Sequence, residues 1–342
     1  MPLKTLSLRR PQSRQKKGIA MADAIDPVRG KFLANLLPIA KQQLGMVIGL
    51  LLLLIVATFV SERFLTFPNL LNVLRQVAIV GILAIGQTFV ILTAGIDLSV
   101  GSSLGLTVVF LAGLLQHHGL LTSIPLGISA GAAMGLINGL GVAYARIPAF
   151  IMTLGMLSFG RGIAFIYTGG TPIPIIDNTY YYIGNGYIAG IPIPSLILLG
   201  TLLLSIFVLN LTPFGRCIYA IGSNEDAARL SGVPTRRYKL LVYLICGFCA
   251  GIAGLVYSSQ LSVGTPIAGE GYELDAIAAV VVGGTSLFGG AGSVIRTFIG
   301  TLFIGVLANI LNLAGVDPFV QQLAKGALIV IAVFIMNQTD RR

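Results

Sequence analysis

The sequence predicts an all-α polytopic membrane protein of about ten transmembrane helices, with both termini in the cytoplasm and an inverted internal repeat. Three observations predict it. The chain is 55% hydrophobic and only 10% charged, with a mean hydropathy of +0.91, whereas an average soluble domain carries ~25% charged residues. Long apolar stretches recur along it. Lys and Arg are concentrated in a few of the segments between them.

Residues 1–43 carry nine Lys/Arg and two Asp. They lack a small-residue cleavage site after a short apolar run, so the expected state is a disordered cytoplasmic tail and not a cleaved signal peptide. Residues 44–337 form the transmembrane domain, and 338–342 a short cytoplasmic end closing on Asp340-Arg341-Arg342. The apolar spans fall at 44–60, 77–93, 98–115, 124–145, 149–167, 196–211, 240–259, 274–287, 294–313 and 319–336. Most reach the ~17–25 residues needed to cross the hydrocarbon; the second and eighth are weaker or shorter. The 169–194 connector has no Lys or Arg, whereas the 212–239 loop has five. With ten spans, the positive-inside rule then puts both termini and the 212–239 loop in the cytoplasm and the connector outside. The net charge of +10 is thus a topology signal and an attraction to anionic membrane lipid, with no nucleic-acid footprint.

The 212–239 loop is the polar exception. Ser223 with Asp226 three residues later fits a capping box, Glu225 and Asp226 put negative charge at a helix N-terminus, and Gly232 with Pro234 supplies a stop. A helix of about eight residues is too short to be stable alone, so it gains its order by docking. No Gly-x-x-x-x-Gly-Lys-[Ser/Thr] occurs, which excludes P-loop nucleotide binding; ATP, if it drives this protein, is hydrolysed by another polypeptide. Cys246-Gly-Phe-Cys249 lies within an apolar span and suits core packing better than redox chemistry. His117-His118 lack companion ligands, so no metal site is expected.

Gly135-Leu-Ile-Asn138 followed by Arg146-Ile-Pro148 resembles Gly305-Val-Leu-Ala-Asn309 followed by Gly315-Val-Asp-Pro318. Ala94-Gly-Ile-Asp97 similarly resembles Ala268-Gly-Glu-Gly-Tyr-Glu-Leu-Asp275. Both pairs are five spans apart, and that odd offset inverts the second copy. Gly127, Gly131, Gly135 and Gly139 form consecutive G-x-x-x-G steps suited to close helix packing. Within or beside the spans lie Gln87, Thr88, Asp97, Ser99, Ser102, Asn138, Asn309 and Asn312. As interhelical hydrogen-bonding groups they hold the bundle; as a passage lining they suit a neutral polyhydroxylated solute. Asp97 can cap the third span or line a pathway. Glu270, Glu273 and Asp275 cluster at the outer start of the eighth span, where they can complement its dipole, face a partner protein or line the pathway mouth.

Gly95-Ile-Asp-Leu-Ser-Val-Gly-Ser102, Gly222-Ser-Asn-Glu-Asp-Ala-Ala-Arg-Leu-Ser-Gly-Val233 and the run from Gly271 to Ser286 together resemble the permease subunits of bacterial ABC sugar importers of the ribose type. The resemblance runs from about residue 44 to 338 and is densest from Gly215 to Gly292. It implies a multi-pass permease in the bacterial inner membrane that moves ribose or a related monosaccharide without chemistry on it. It implies a second permease copy, cytoplasmic ATP-binding subunits that carry the ATP and Mg, and an extracytoplasmic sugar-binding protein. This chain would itself hold no cofactor and be no enzyme. The polar loop is similar to the family's coupling helix, so Gly222, Asn224, Glu225, Ala227, Ala228, Ser231 and Gly232 would contact the ATPase. A proton- or sodium-coupled secondary transporter is the alternative, motivated by Asp97 and the repeat.

Overall fold

The computed structural model describes residues 45–340, which are overwhelmingly helical. The basic tail and the last two residues lie outside the described range. A helix stands at each of the ten apolar stretches: α1 (Gly45–Val60), α2 (Phe67–Leu92), α3 (Val100–Leu115), α4 (Leu120–Ala143), α5 (Ala149–Thr168), α7 (Ile193–Leu211), α10 (Thr235–Leu261), α11 (Tyr272–Val282), α12 (Val294–Leu313) and α13 (Pro318–Asp340). Six of them, α2, α4, α5, α7, α10 and α12, are long and apolar enough to cross a membrane. Three short helices fill the connections: α6 (Asn178–Asn185), α8 (Pro213–Ser223) and α9 (Glu225–Leu230).

Proline and glycine set many of the boundaries. Pro68, Pro194 and Pro213 stand in the first turns of α2, α7 and α8, where their missing N–H costs nothing. α5 ends on Gly169 in the left-handed conformation, the usual C-terminal stop. Asp177 caps α6 by accepting a hydrogen bond from the Tyr180 backbone N–H at 2.8 Å. Two short antiparallel pairs stand at this end of the bundle: β1 (Ile173–Pro174) with β4 (Val263–Gly264), and β2 (Tyr187–Ile188) with β3 (Ile191–Pro192). The opposite end carries α8 and α9.

α2 and α10 form the centre and pack on each other. α10 packs on α3 and α4, and α3 on α4 and α5; α2 packs on α11 and α12, and α11 on α12 and α13. Exchanging α2–α5 with α10–α13 therefore maps one set of helix contacts onto the other. The G-x-x-x-G face does what its small residues allow. A Cβ on Gly131 would lie 2.7 Å from the Gly247 carbonyl oxygen and 2.9 Å from the Gly251 nitrogen, so α4 and α10 touch backbone to backbone. The most buried surface belongs to α2, α3 and α10, while α4, α5 and α7 turn large apolar side chains such as Leu126, Phe159, Leu203 and Phe207 outward. Exposed apolar faces of that size suit lipid.

The eighth apolar stretch is short, as its sequence suggests. α11 has 11 residues, a length of about 16 Å against a ~30 Å hydrocarbon core. The chain ahead of it is irregular and descends alongside α3. Gly264 packs on Ala112, Arg161 donates to the Pro266 and Ala268 carbonyls at 2.6 and 2.8 Å, and Gly269 meets Gly101. From Ala112 to Gly101 is about 16 Å along the helix. Residues 93–99 re-enter from the other end, so α3 and α11 both begin inside the bundle, side by side. Irregular backbone at such depth is viable only because protein groups satisfy it.

Candidate functional site

The polar residues expected to line a passage fall into separate places. Gln87, Asp97, Ser99 and Asn138 come together, all at most 1% exposed. Asp97 Oδ1 accepts from the Ser99 backbone N–H at 2.9 Å and from Ser99 Oγ at 2.7 Å. Asn138 Nδ2 donates to Ser99 Oγ at 2.7 Å and to the Asp97 carboxylate at 3.3 Å. Gln87, with its amide turned to match donors to acceptors, bonds the Asp97 backbone N and O at 3.1 and 3.2 Å. This network ties the re-entrant 93–99 turn to α2 and α4. It satisfies the Asp97 carboxylate from several sides, as a buried polar group requires.

Of the others, Thr88 and Asn309 hold helices together. Thr88 and Thr297 share a hydrogen bond of 2.8 Å between α2 and α12. Asn309 and Asn69 exchange two, at 2.9 and 3.0 Å. Ser102 Oγ donates to its own helix at the Ser99 carbonyl. Asn312 lines one of the two cavities described next.

Two cavities flank the central pair of helices. One, of about 450 Å³, opens at the α9 end between the Thr93–Gly95 turn, the end of α4, the start of α5 and the start of α10. The other, of about 350 Å³, opens at the β-pair end between the end of α10, the start of α11, the end of α12, α13 and the first half of α2. The helix exchange described above converts the walls of one into the walls of the other. Arg146, Arg229, Arg236 and Lys239 give the first a basic character, offset by Glu225 and Asp226. The second is lined by Tyr257, Gln260, Tyr272, Asp275, Asn312 and Lys325.

The three carboxylates at the start of α11 have distinct surroundings. Glu270 is exposed. Glu273 is not turned outward: its Oε1 accepts from the Gly271 N–H at 3.3 Å and its Oε2 lies against Gly101, between two helix N-termini whose dipoles favour it. Asp275, 8% exposed, bonds Lys325 Nζ of α13 at 2.8 Å inside the second cavity. Tyr257, Gln260, Tyr272 and Lys325 were not legible as site residues because they reach the cavity from three helices, α10, α11 and α13.

The polar loop holds two helices where one is expected. Gly222 belongs to α8 and packs on the Leu92 carbonyl and the Gly290 backbone, a contact with no room for a side chain. Ser223 donates back to the Tyr219 carbonyl at 2.9 Å and caps nothing. The cap of α9 is Asn224, whose side chain accepts from the Ala227 N–H at 2.9 Å. Asn and Ser compete closely at such positions, and the break between α8 and α9 fixes the choice one residue later. Glu225 pairs with Lys239 of α10, and Asp226 with Arg229 at 2.8 Å. Ala228 is buried toward the bundle, whereas Asn224, Ala227, Ser231 and Gly232 are exposed. Gly232 takes a φ of +85°, as a C-terminal stop requires. Leu230, which the sequence did not single out, is 86% exposed at the tip.

Comparison with known proteins agrees with this architecture. Residues 69–333 match the family model described as "Branched-chain amino acid transport system / permease component". The chain is 45% identical to the ribose import permease protein RbsC of Bacillus subtilis over 297 residues, covering 86% of this chain and 92% of the relative. It is 43% identical to the protein of the same name in Escherichia coli K12, covering 85% and 92%. It is 37% identical to the xylose transport system permease protein XylH of Haemophilus influenzae, covering 82% and 91%. With most of its length matched, and with helices laid out as membrane transport requires, the chain belongs to this family of transport-system permease components.

Proposed function

We propose that this chain is the permease subunit of an ATP-driven importer that moves a neutral monosaccharide, ribose or a close relative such as xylose, across the bacterial inner membrane by alternating access. The observation that carries the reading is the pair of cavities, one opening at each end, related by exchange of the two helix sets. A transporter built from inverted repeats needs two such half-paths around a fixed midplane. The midplane here is where the starts of α3 and α11 meet. The similarity to ribose and xylose permeases over more than four-fifths of the chain supports the solute class.

In this reading residues 44–337 are the permease domain, all ten apolar helices lie in the membrane, and the α9 end and both termini face the cytoplasm. The re-entrant 262–271 segment and α11 together make one crossing. Cytoplasmic subunits bind and hydrolyse ATP with Mg; this chain is no enzyme. They dock on α9 through the exposed Asn224, Ala227, Leu230, Ser231 and Gly232, while Gly222 and Ala228 seat the helix on the bundle and the Glu225–Lys239 pair ties it to α10. Closure of the ATPases then reaches the α8–α9–α10 unit as a rigid-body push. A sugar-binding protein delivers solute at the β-pair end, where Glu270 is exposed, and a second copy of the permease completes the channel. The hydrogen-bonded enclosure of Asp97 favours a structural role over proton coupling.

The test is uptake of labelled ribose and xylose into proteoliposomes holding the permease with its ATPase and binding protein. Uptake is expected to require ATP and to persist when the proton and sodium gradients are collapsed. Uptake that survives ATP depletion but stops on collapsing a gradient would overturn the proposal.

A further inference from the structure

The cavity at the β-pair end has the chemistry of a binding site and not of a bare conduit. Its volume of about 350 Å³ lies within the ~300–1,000 Å³ of small-molecule sites, which combine apolar walls with a few convergent polar groups. The Tyr257 and Tyr272 rings meet edge to face, centroids 6.0 Å apart at 77°, and give it a rigid aromatic wall. Gln260 Nε2 is buried with no hydrogen-bond partner among the described residues. An unpaired buried amide donor is destabilising, and an acceptor brought to it relieves that cost. Asp275 gives Oδ2 to Lys325 at 2.8 Å and keeps Oδ1 for a donor. The Asn312 side chain accepts from Gln321 at 2.9 Å, and its amide N–H groups remain for a ligand.

Charge narrows the ligand. The Asp275–Lys325 pair cancels within the cavity, and among the described residues no other acid or base except the tyrosines lines it. A cation would have to compete with Lys325, and an anion with Asp275. A neutral polyol meets neither obstacle. Its hydroxyls donate and accept at once, matching the Gln260 and Asn312 donors and the Asp275 acceptor, and the C–H face of its ring can lie on tyrosine.

We propose that the outer-end cavity bounded by Tyr257, Gln260, Tyr272, Asp275 and Asn312 is a saccharide-binding station within the permease itself, occupied by the neutral monosaccharide between its delivery and its passage through the midplane. This rests on the importer reading above and adds a site of selection in the membrane subunit.

The experiment is equilibrium binding of labelled ribose and xylose to the permease–ATPase complex in nanodiscs, without the binding protein, paired with uptake by the complete importer. Saturable binding of at least one of the two sugars is expected, competed by the unlabelled sugar and not by sodium phosphate or sodium chloride. Gln260→Leu and Tyr257→Leu are each expected to weaken it about tenfold or more, and Gln260→Asn to recover part of the loss. Asn312→Ala, at the exposed rim, tests the same site with little risk to folding and is expected to weaken binding several-fold. If the unsubstituted importer takes up sugar on ATP but its permease binds neither sugar saturably, or if all three substitutions leave binding unchanged, the station is refuted while the importer reading stands. If the complete importer takes up neither sugar on ATP, the importer reading itself fails.

Discussion

Gly101 and Gly269 meet backbone to backbone: a Cβ on either would collide with the carbonyl oxygen of the other. This contact fixes the starts of α3 and α11 at one level, where the two re-entrant turns approach from opposite ends. Alanine at either position is expected to overpack the junction by about 1–3 kcal/mol. Gly269 carries a φ of +74°, so its alanine variant bears a further ~1–2 kcal/mol of left-handed strain. Thermal melting in detergent is expected to fall in both variants, further for Gly269→Ala. Equal melting of both variants and the unsubstituted protein would remove the junction from the account.

Asn224, and not Ser223, caps α9. Asn224→Ala is expected to cost about 1 kcal/mol of local helix stability, seen as faster hydrogen exchange of the 225–230 amides and a lower transport rate. Ser223→Ala is expected to leave both near their original values. The reverse ranking would restore the capping box suggested by the sequence.

Leu230 projects from α9 with 86% of its surface exposed, so the permease fold owes it little. Leu230→Asp is expected to leave the melting temperature of the isolated permease within a degree or two and to weaken capture of the ATP-binding subunit about tenfold, or ~1.4 kcal/mol. Ala227→Arg, on the same exposed surface, is expected to act in the same direction. Unchanged co-purification of the ATPase with both variants would place the docking surface elsewhere.

Asp97 holds the 93–99 turn through Ser99 and Asn138. Asp97→Ala is expected to destabilise the protein by about 1–3 kcal/mol, because Ser99 and Asn138 lose a buried acceptor. Asp97→Asn keeps the shape and one acceptor oxygen, and is expected to retain more than half of the uptake, with the same indifference to a proton gradient. Gradient-dependent uptake that vanishes in Asp97→Asn would reinstate a proton-coupling role.

The helices were largely legible because hydropathy reports them directly. Each of the ten apolar stretches is a helix, and Gly131, Gly135 and Gly139 of the glycine run mark a backbone-to-backbone contact with α10, since small residues at a spacing of four have few other uses in an apolar helix. The side chains around the cavities were not legible. For Gln87 and Asn138 the sequence offered both interhelical hydrogen bonding and a pathway lining; their partners are donors and acceptors on the re-entrant turn. Gln260 and Lys325 look unremarkable in sequence and become a site only where α10 and α13 converge on α11. For Asp275 the sequence left three roles open, a helix N-terminal charge, a partner contact or a lining of the pathway mouth; the irregular descent of 263–271 carries the start of α11 into the bundle and Asp275 into the cavity wall.

What the sequence determined by itself is the apolar surroundings its helices need, the position of those helices and the family it resembles. All of these follow from local composition and spacing, which need no knowledge of what touches what. The tertiary structure alone decided which polar groups are locked and which are available. That distinction depends on whether the partner satisfying each group comes from another helix, as Asn138 does for Asp97, or is missing, as for Gln260. Hydrogen bonds are short-ranged and directional, so a donor's fate is set by atoms about 3 Å away that can lie anywhere in the chain.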